Sequence, residues 1–240
     1  MRSDLFAPQH AETQAGPGMS LQNSKMLKIA LNGEVLARQG AMVAYQGQVD
    51  FKALGSGGIG GFLKKAVTGE GVPLMRLAGR GDVFLADQAA DVHIIDLDGP
   101  QDALTINGKN VLAFDTGLSY DIKMVQGAGM LSGAGLFNCV FTGRGRIAIT
   151  TKGAPVVLAV DQPTFADPQA AVCWSASLQT GIQRNDQIGL GTLIGRTTGE
   201  AFTMSFAGQG FVVVQASEDV PPALGGQQSS EGGLGGLLGR

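Results

Sequence analysis

The sequence predicts an all-β fold: a β-sandwich or jelly-roll-like body of three units of about 65 residues with pseudo-threefold internal symmetry. Three observations predict it. Glycine is abundant, with 38 in 240 residues; it is unfavourable inside helices and useful at turns and bulges. Apolar residues recur with period two over short runs, and no sustained helical period is present. A G-x-G motif, flanked by two strand-like runs, occurs three times in the same order.

Taken in chain order, residues 1–20 are polar and carry Pro8 and Pro17, which predicts a flexible arm. Residues 21–218 form the predicted single folded domain. "LKIAL" places Leu27, Ile29 and Leu31 on one side, and "QVDFKAL" does the same with Val49, Phe51 and Ala53. "YDIKMV" aligns Tyr120, Ile122 and Met124. "GRIAIT" aligns Ile147 and Ile149 against Arg146, Ala148 and Thr150. Such alternation is that of half-buried antiparallel strands. Two short helix candidates remain, "GGFLKKAVTG" and part of "TFADPQAAV". Residues 219–240 are a Gly-rich run that predicts a disordered tail.

The repeats are "GVPLMRLAGRGDVFLAD", "GLFNCVFTGRGRIAITT" and "AFTMSFAGQGFVVVQAS". Their first glycines, Gly79, Gly143 and Gly208, are spaced by 64 and 65 residues. Upstream of each stands a small residue followed by an aromatic: Ala44-Tyr45, Ala113-Phe114 and Cys173-Trp174. The glycines are expected to turn hairpin corners. One unit cannot bury its apolar face alone, whereas three packed together can.

Segments 116–158, 198–217 and 57–87 together resemble the altered-inheritance-of-mitochondria protein family. The likeness covers roughly residues 25–217, and the domain is described as similar to the tryptophan RNA-binding attenuation protein. The resemblance implies a double-stranded β-helix-like fold, repeated units, a tendency to form oligomers and no established enzyme activity. Eukaryotic relatives are associated with mitochondrial inner-membrane organisation. This chain carries no mitochondrial transit pattern at its N-terminus, so it resembles a bacterial member and the mitochondrial role is not transferred.

Composition narrows the function classes. The net charge is −3 and no polybasic block occurs, so nucleic acid is an unfavoured partner. The two cysteines, Cys139 and Cys173, lie among apolar residues and read as small buried hydrophobes. No secretory signal and no long apolar run is present, and a cytoplasmic location is expected.

The motifs that suggest chemistry each have a plainer explanation. Gly55, Gly57 and Gly60 spell G-x-G-x-x-G, but about one accidental match is expected at this glycine frequency. No βαβ unit surrounds it, and Asp82 begins a strand instead of ending one. The Arg80-Gly81-Asp82 tripeptide reads as solvated turn residues. Asp87, Asp91, His93, Asp96 and Asp98 cluster in sequence without metal-ligand spacing. No G-x-S-x-G elbow is present. No catalytic residue, cofactor or metal is therefore assigned, and the chain is expected not to be an enzyme.

Two candidate surfaces remain. Arg80 and Arg144 occupy the same place in two units, and with Arg146 they form a candidate anion contact. Ile59, Phe62 and Leu63, beside Lys64 and Lys65, form a candidate docking segment for the protein's own body, a neighbouring subunit or a membrane surface. The favoured reading is a non-catalytic β-repeat protein that acts by binding or assembly, as a homo-oligomer or on a protein or membrane partner. The alternative is a small-ligand or RNA-binding module similar to the attenuation protein.

Overall fold

The computed structural model describes residues 2–54, 72–124, 137–184 and 202–217. Among them regular structure is β-strand, apart from three single 3-10 turns. The strands are β1 (Gly18–Asn23), β2 (Met26–Arg38), β3 (Met42–Ala53), β4 (Leu74–Leu85), β5 (Asp91–Asn107), β6 (Val111–Asp115) and β7 (Ser119–Met124). They continue with β8 (Phe137–Thr151), β9 (Val156–Val160), β10 (Thr164–Ala166), β11 (Ala171–Ser175), β12 (Gln179–Arg184), β13 (Phe202–Ala207) and β14 (Gly210–Val214).

An 11-stranded sheet runs in the order β3-β4-β2-β6-β8-β5-β11-β14-β9, with β1 added to β2 and β7 added to β8. A second sheet runs β10-β13-β12. The all-β expectation holds, and the strand pairings described are antiparallel.

The G-x-G motifs correct one expectation. They do not turn hairpins. Gly79 and Gly81 lie inside continuous β4, and Gly143 and Gly145 lie inside continuous β8. In the third motif Gly208 separates β13 from β14, so one path divides between the two sheets. The φ of Gly79 is 131°, and a Cβ there would run into the carbonyl oxygen of Gln48. Gly81, at φ 155°, would strike the carbonyl of Gln46. The glycines therefore bend a long strand while keeping it paired, which is what a bulge-like device does. The bend has a direct signature. Tyr45 and Phe51 stand six residues apart on β3, which separates Cα atoms by roughly 20 Å in a straight strand. Their ring centroids are nevertheless 5.1 Å apart.

The alternating apolar residues of β2 and β4 are buried, and so are Lys28, Leu36 and Phe84 between them. Leu27, Ile29, Leu31, Val35, Leu77, Val83 and Leu85 form one part of the core. A second part gathers Phe114, Phe141, Ile147 and Ile106, with Phe114 edge-on to Phe141 at 4.9 Å. A third holds Trp174 edge-on to Phe206 at 5.4 Å. The end of β8 departs from simple alternation, because Ala148 and Thr150 are buried like Ile147 and Ile149. Strands β5 and β6 pair on its two sides and neighbouring elements cover both faces there.

The helix expected in "TFADPQAAV" does not form. Thr164–Ala166 is strand β10, and a turn follows at once. The Asp167 carboxylate accepts the backbone N–H groups of Gln169 at 2.6 Å and Ala170 at 3.3 Å. An Asp-Pro step with this local capping favours a tight turn over a helix. The other helix candidate, residues 60–69, lies outside the described residues, as does the predicted tail.

Candidate functional site

Among the described residues strand β3 is an edge of the large sheet, paired only with β4. All its residues are exposed except half-buried Val49. Ala44, Gln46, Gln48, Asp50 and Lys52 alternate on one face. Tyr45, Val49 and Phe51 share the other, which continues the apolar face of β2 and β4. Tyr45 and Phe51 thus extend past the core with no described segment beneath them. An unpaired strand edge with an uncovered apolar row is a template for another strand. Where β3 bends, an open hollow of about 690 Å³ is lined by Asn32, Tyr45, Gln48, Asp50 and Arg80, among others.

The three arginines named from the sequence are anchored separately. Arg80 donates from Nε to Asn32 Oδ1 at 3.4 Å. Arg144 donates to the Asp98 carbonyl at 2.8 Å. Arg146 bonds Asp96 Oδ1 at 3.0 Å and the Met19 carbonyl at 3.0 Å. Arg80 lies on β4, whereas Arg144 and Arg146 lie on β8 with β5 alongside. The hollow at the β3 bend contains Arg80 and neither of the others. The docking residues Ile59, Phe62, Leu63, Lys64 and Lys65 lie outside the described residues.

The N-terminal segment reaches the outer face of the same limb. Lys28 is buried, and its Nζ meets Glu12 Oε1 at 2.7 Å, the Thr13 carbonyl at 2.9 Å and Asp82 Oδ2 at 3.5 Å. The hydrogen bond to Glu12 raises the Lys28 pKa against the opposing pull of burial. The same bond lowers that of Glu12.

A second hollow, of about 440 Å³, was not visible in the sequence, because its walls come from residues far apart in the chain. Arg38 enters it from the end of β2. Its guanidinium bonds Asp87 Oδ2 at 2.6 Å, the Val111 carbonyl at 2.9 Å and the Lys109 carbonyl. Burial pulls the Arg38 pKa down and Asp87 opposes the shift. Asn110 is 4% exposed. It donates from Nδ2 to the Thr150 carbonyl at 2.7 Å and to Gln215 Oε1 at 3.3 Å. Gln215 Oε1 also accepts the Lys152 backbone N–H at 3.0 Å, which fixes both amides in these orientations. Asn110 Oδ1 is then left buried without a partner. On the rim, Gln88 and Ala89 have positive φ of 47° and 59°, a conformation non-glycine residues rarely hold.

The remaining titratable candidates have structural roles. His93 Nε2 lies 2.9 Å from Thr151 Oγ1. Cys139 and Cys173 are buried, and burial pushes both thiols up to about 12, so both are protonated at neutral pH. Among the described residues no group of three His, Cys, Asp or Glu side chains is arranged for a metal ion. Among them, too, no helix is long and apolar enough to cross a membrane.

Comparison with known proteins gives a family and a fold. The model of the family described as mitochondrial biogenesis AIM24 matches residues 19–217. No curated protein matches the chain. A crystal structure of a protein from Streptococcus pyogenes superposes with a TM-score of 0.65 at 21% identity, covering 83% of this chain and 92% of that one. At that identity the likeness speaks for the fold.

Proposed function

The chain belongs to the mitochondrial biogenesis AIM24 family, and we propose that it is a non-catalytic β-repeat protein that works by binding and assembly through the open edge of β3. The observation that carries this reading is the edge itself. Twelve residues of paired-on-one-side strand present Val43, Tyr45 and Phe51 at 54%, 49% and 36% exposure. Strand addition to such an edge supplies main-chain hydrogen bonds for affinity and side-chain pockets for selectivity. The three repeated G-x-G segments of the sequence are, in this reading, stacked β-units, and such a stack ends in unpaired faces. In this reading the segment bearing Ile59, Phe62, Leu63, Lys64 and Lys65 follows β3 directly and belongs to the same docking region. Arg80, Arg144 and Arg146 serve their local partners, so RNA is the weaker partner class. The location remains proposed as cytoplasmic, and no cofactor is assigned.

Light scattering on the full chain during size-exclusion chromatography tests the assembly. The expected result is a mass above that of one chain which falls on dilution and falls further for Tyr45→Asp. A single-chain mass at every concentration, with no protein or liposome capture, removes the reading.

A small-ligand role is favoured by one observation, the unpartnered Asn110 Oδ1 beside Arg38. In this second reading that oxygen accepts a hydroxyl or amino donor of a compact ligand, with Arg38, itself held by Asp87, in the wall beside it. Glycerol 3-phosphate and malate are suitable probes, with glycerol and inorganic phosphate as controls. Both probes are expected to raise the melting temperature of the chain. The gain is smaller in Gln88→Glu, which adds a negative charge at the exposed rim without touching Asn110. No shift with either probe would leave the hollow as a structural polar cluster.

A further inference from the structure

We infer that β10 of one copy pairs with the β3 edge of the next copy, with Phe165 opposite Tyr45, Ala166 opposite Ala44 and Thr164 opposite Gln46. The inference rests on the assembly reading above and names its partner and register.

The chain already makes this kind of junction twice within itself. Phe114 pairs with Ile147, four residues after Gly143, and Trp174 pairs with Val212, four after Gly208. Tyr45 pairs with Val83, four after Gly79. The three aromatics therefore hold one position relative to their glycine bends. On their other sides Phe114 and Trp174 meet a strand tied to the preceding glycine bend. Phe114 lies opposite Leu36, and Trp174 lies opposite Thr105. Leu36 in turn pairs with Arg76, three residues before Gly79, and Thr105 pairs with Val140, three before Gly143. The third residue in that position is Phe165, which pairs with Ser205, three before Gly208.

Within the described residues, the two closed junctions bury their members. Phe114 is 1% exposed and Trp174 is 3% exposed. The two leftover halves, Tyr45 and Phe165, are 49% and 52% exposed. Both lie on sheet edges, β3 in the large sheet and β10 in the small one. A head-to-tail contact repeats the internal junction and leaves the same two halves open on the next copies. Such a heterologous contact closes into a ring or extends, depending on the rotation between copies.

Mixing chains that each carry one added cysteine tests the register. Tyr45→Cys chains are combined with Phe165→Cys chains and oxidised mildly. The native thiols are buried, and both substituted positions are exposed, so the chains keep their fold. Directly opposed positions approach disulfide geometry, so the mixed dimer is expected at about tenfold the yield of an out-of-register mixture of Val49→Cys with Phe165→Cys. Self-linked Tyr45→Cys dimers without mixed ones would overturn the pairing in favour of β3 against β3. A cross-link formed only inside a chain carrying both substitutions would overturn it in favour of closure within one copy. An oligomer by light scattering with no mixed cross-link rejects this junction and keeps the assembly reading. A monomer throughout rejects both.

Discussion

Tyr45, Phe114 and Trp174 follow the same local pattern, a small residue then an aromatic, and all three pair with the residue four positions beyond a bending glycine. Phe114 and Trp174 are core residues, whereas Tyr45 faces solvent. Their own strands do not explain the difference. Strand β6 lies between β2 and β8, and β11 lies between β5 and β14, while among the described residues β3 has β4 alone. A side chain on a sheet is buried by what lies beside and beneath its strand, so one local pattern yields core in two places and an adhesive edge in the third.

The largest expected effect separates these classes directly. Phe114→Ala and Trp174→Ala should each cost about 3–5 kcal/mol of stability, as large aromatic truncations in a packed core do. Tyr45→Ala should cost within about 0.5 kcal/mol in the dilute chain and should instead weaken association. Urea denaturation of the three variants, followed by tryptophan fluorescence for Phe114→Ala and Tyr45→Ala and by circular dichroism for Trp174→Ala, checks the ranking. A Tyr45→Ala loss equal to that of Phe114→Ala would mean that β3 is covered in solution.

The glycine bends give a finer contrast. Gly81 and Gly145 share a φ of 155°, so alanine at either brings backbone strain of about 1–3 kcal/mol. At Gly145 the nearest obstacles to a Cβ are the Leu118 and Asp115 side chains, which can shift. At Gly81 the obstacle is the Gln46 carbonyl of β3 itself. Gly81→Ala should therefore be the more damaging of the two by thermal melt, and it should release β3 from β4. Amide exchange along β3 would show that release, and equal protection in both variants would contradict it.

The smallest effect concerns the N-terminal segment. The Glu12 pKa lies below its usual 4.5 because of Lys28. Its contribution is present above about pH 4.5 and is lost as the pH falls through the folded-state value. For Lys28 the raised pKa means the opposite limb. Its contribution is full below its usual 10.5 and is lost only as the pH rises through the higher folded-state value. Glu12→Gln should lower the melting temperature slightly at neutral pH and flatten its decline on acidification. An unchanged acid limb would show that this ion pair does not couple to folding.

Much of the architecture was legible from the residues. The alternation of Leu27, Ile29 and Leu31 marked a strand with one core face, and all three are buried. The glycine pairs were legible as special backbone positions, although not as bends within continuous strands. A G-x-G motif states that φ is unusual and leaves open whether the chain reverses or merely bends. Of the candidate site residues, Arg80, Arg144 and Arg146 were visible as a repeated pattern. Their local partners, Asn32, Asp98 and Asp96, appear only once register is known. Phe165 carried a weak signal, an aromatic just before an Asp-Pro turn. The Arg38, Asn110 and Gln215 cluster carried none, because its members are separated by 72 and 105 positions in the chain.

By itself, then, the sequence determined the β class, the positions of the bends and the identity of the repeated aromatics. These follow from alternation and glycine content, which are local properties. Only the tertiary structure decided which of those aromatics became core and which became edge. Pairing order is a non-local property: β2 and β5 are joined by the later strands β6 and β11, whereas among the described residues β3 pairs with β4 alone and β10 with β13 alone. No window of sequence records which strands are left without a neighbour.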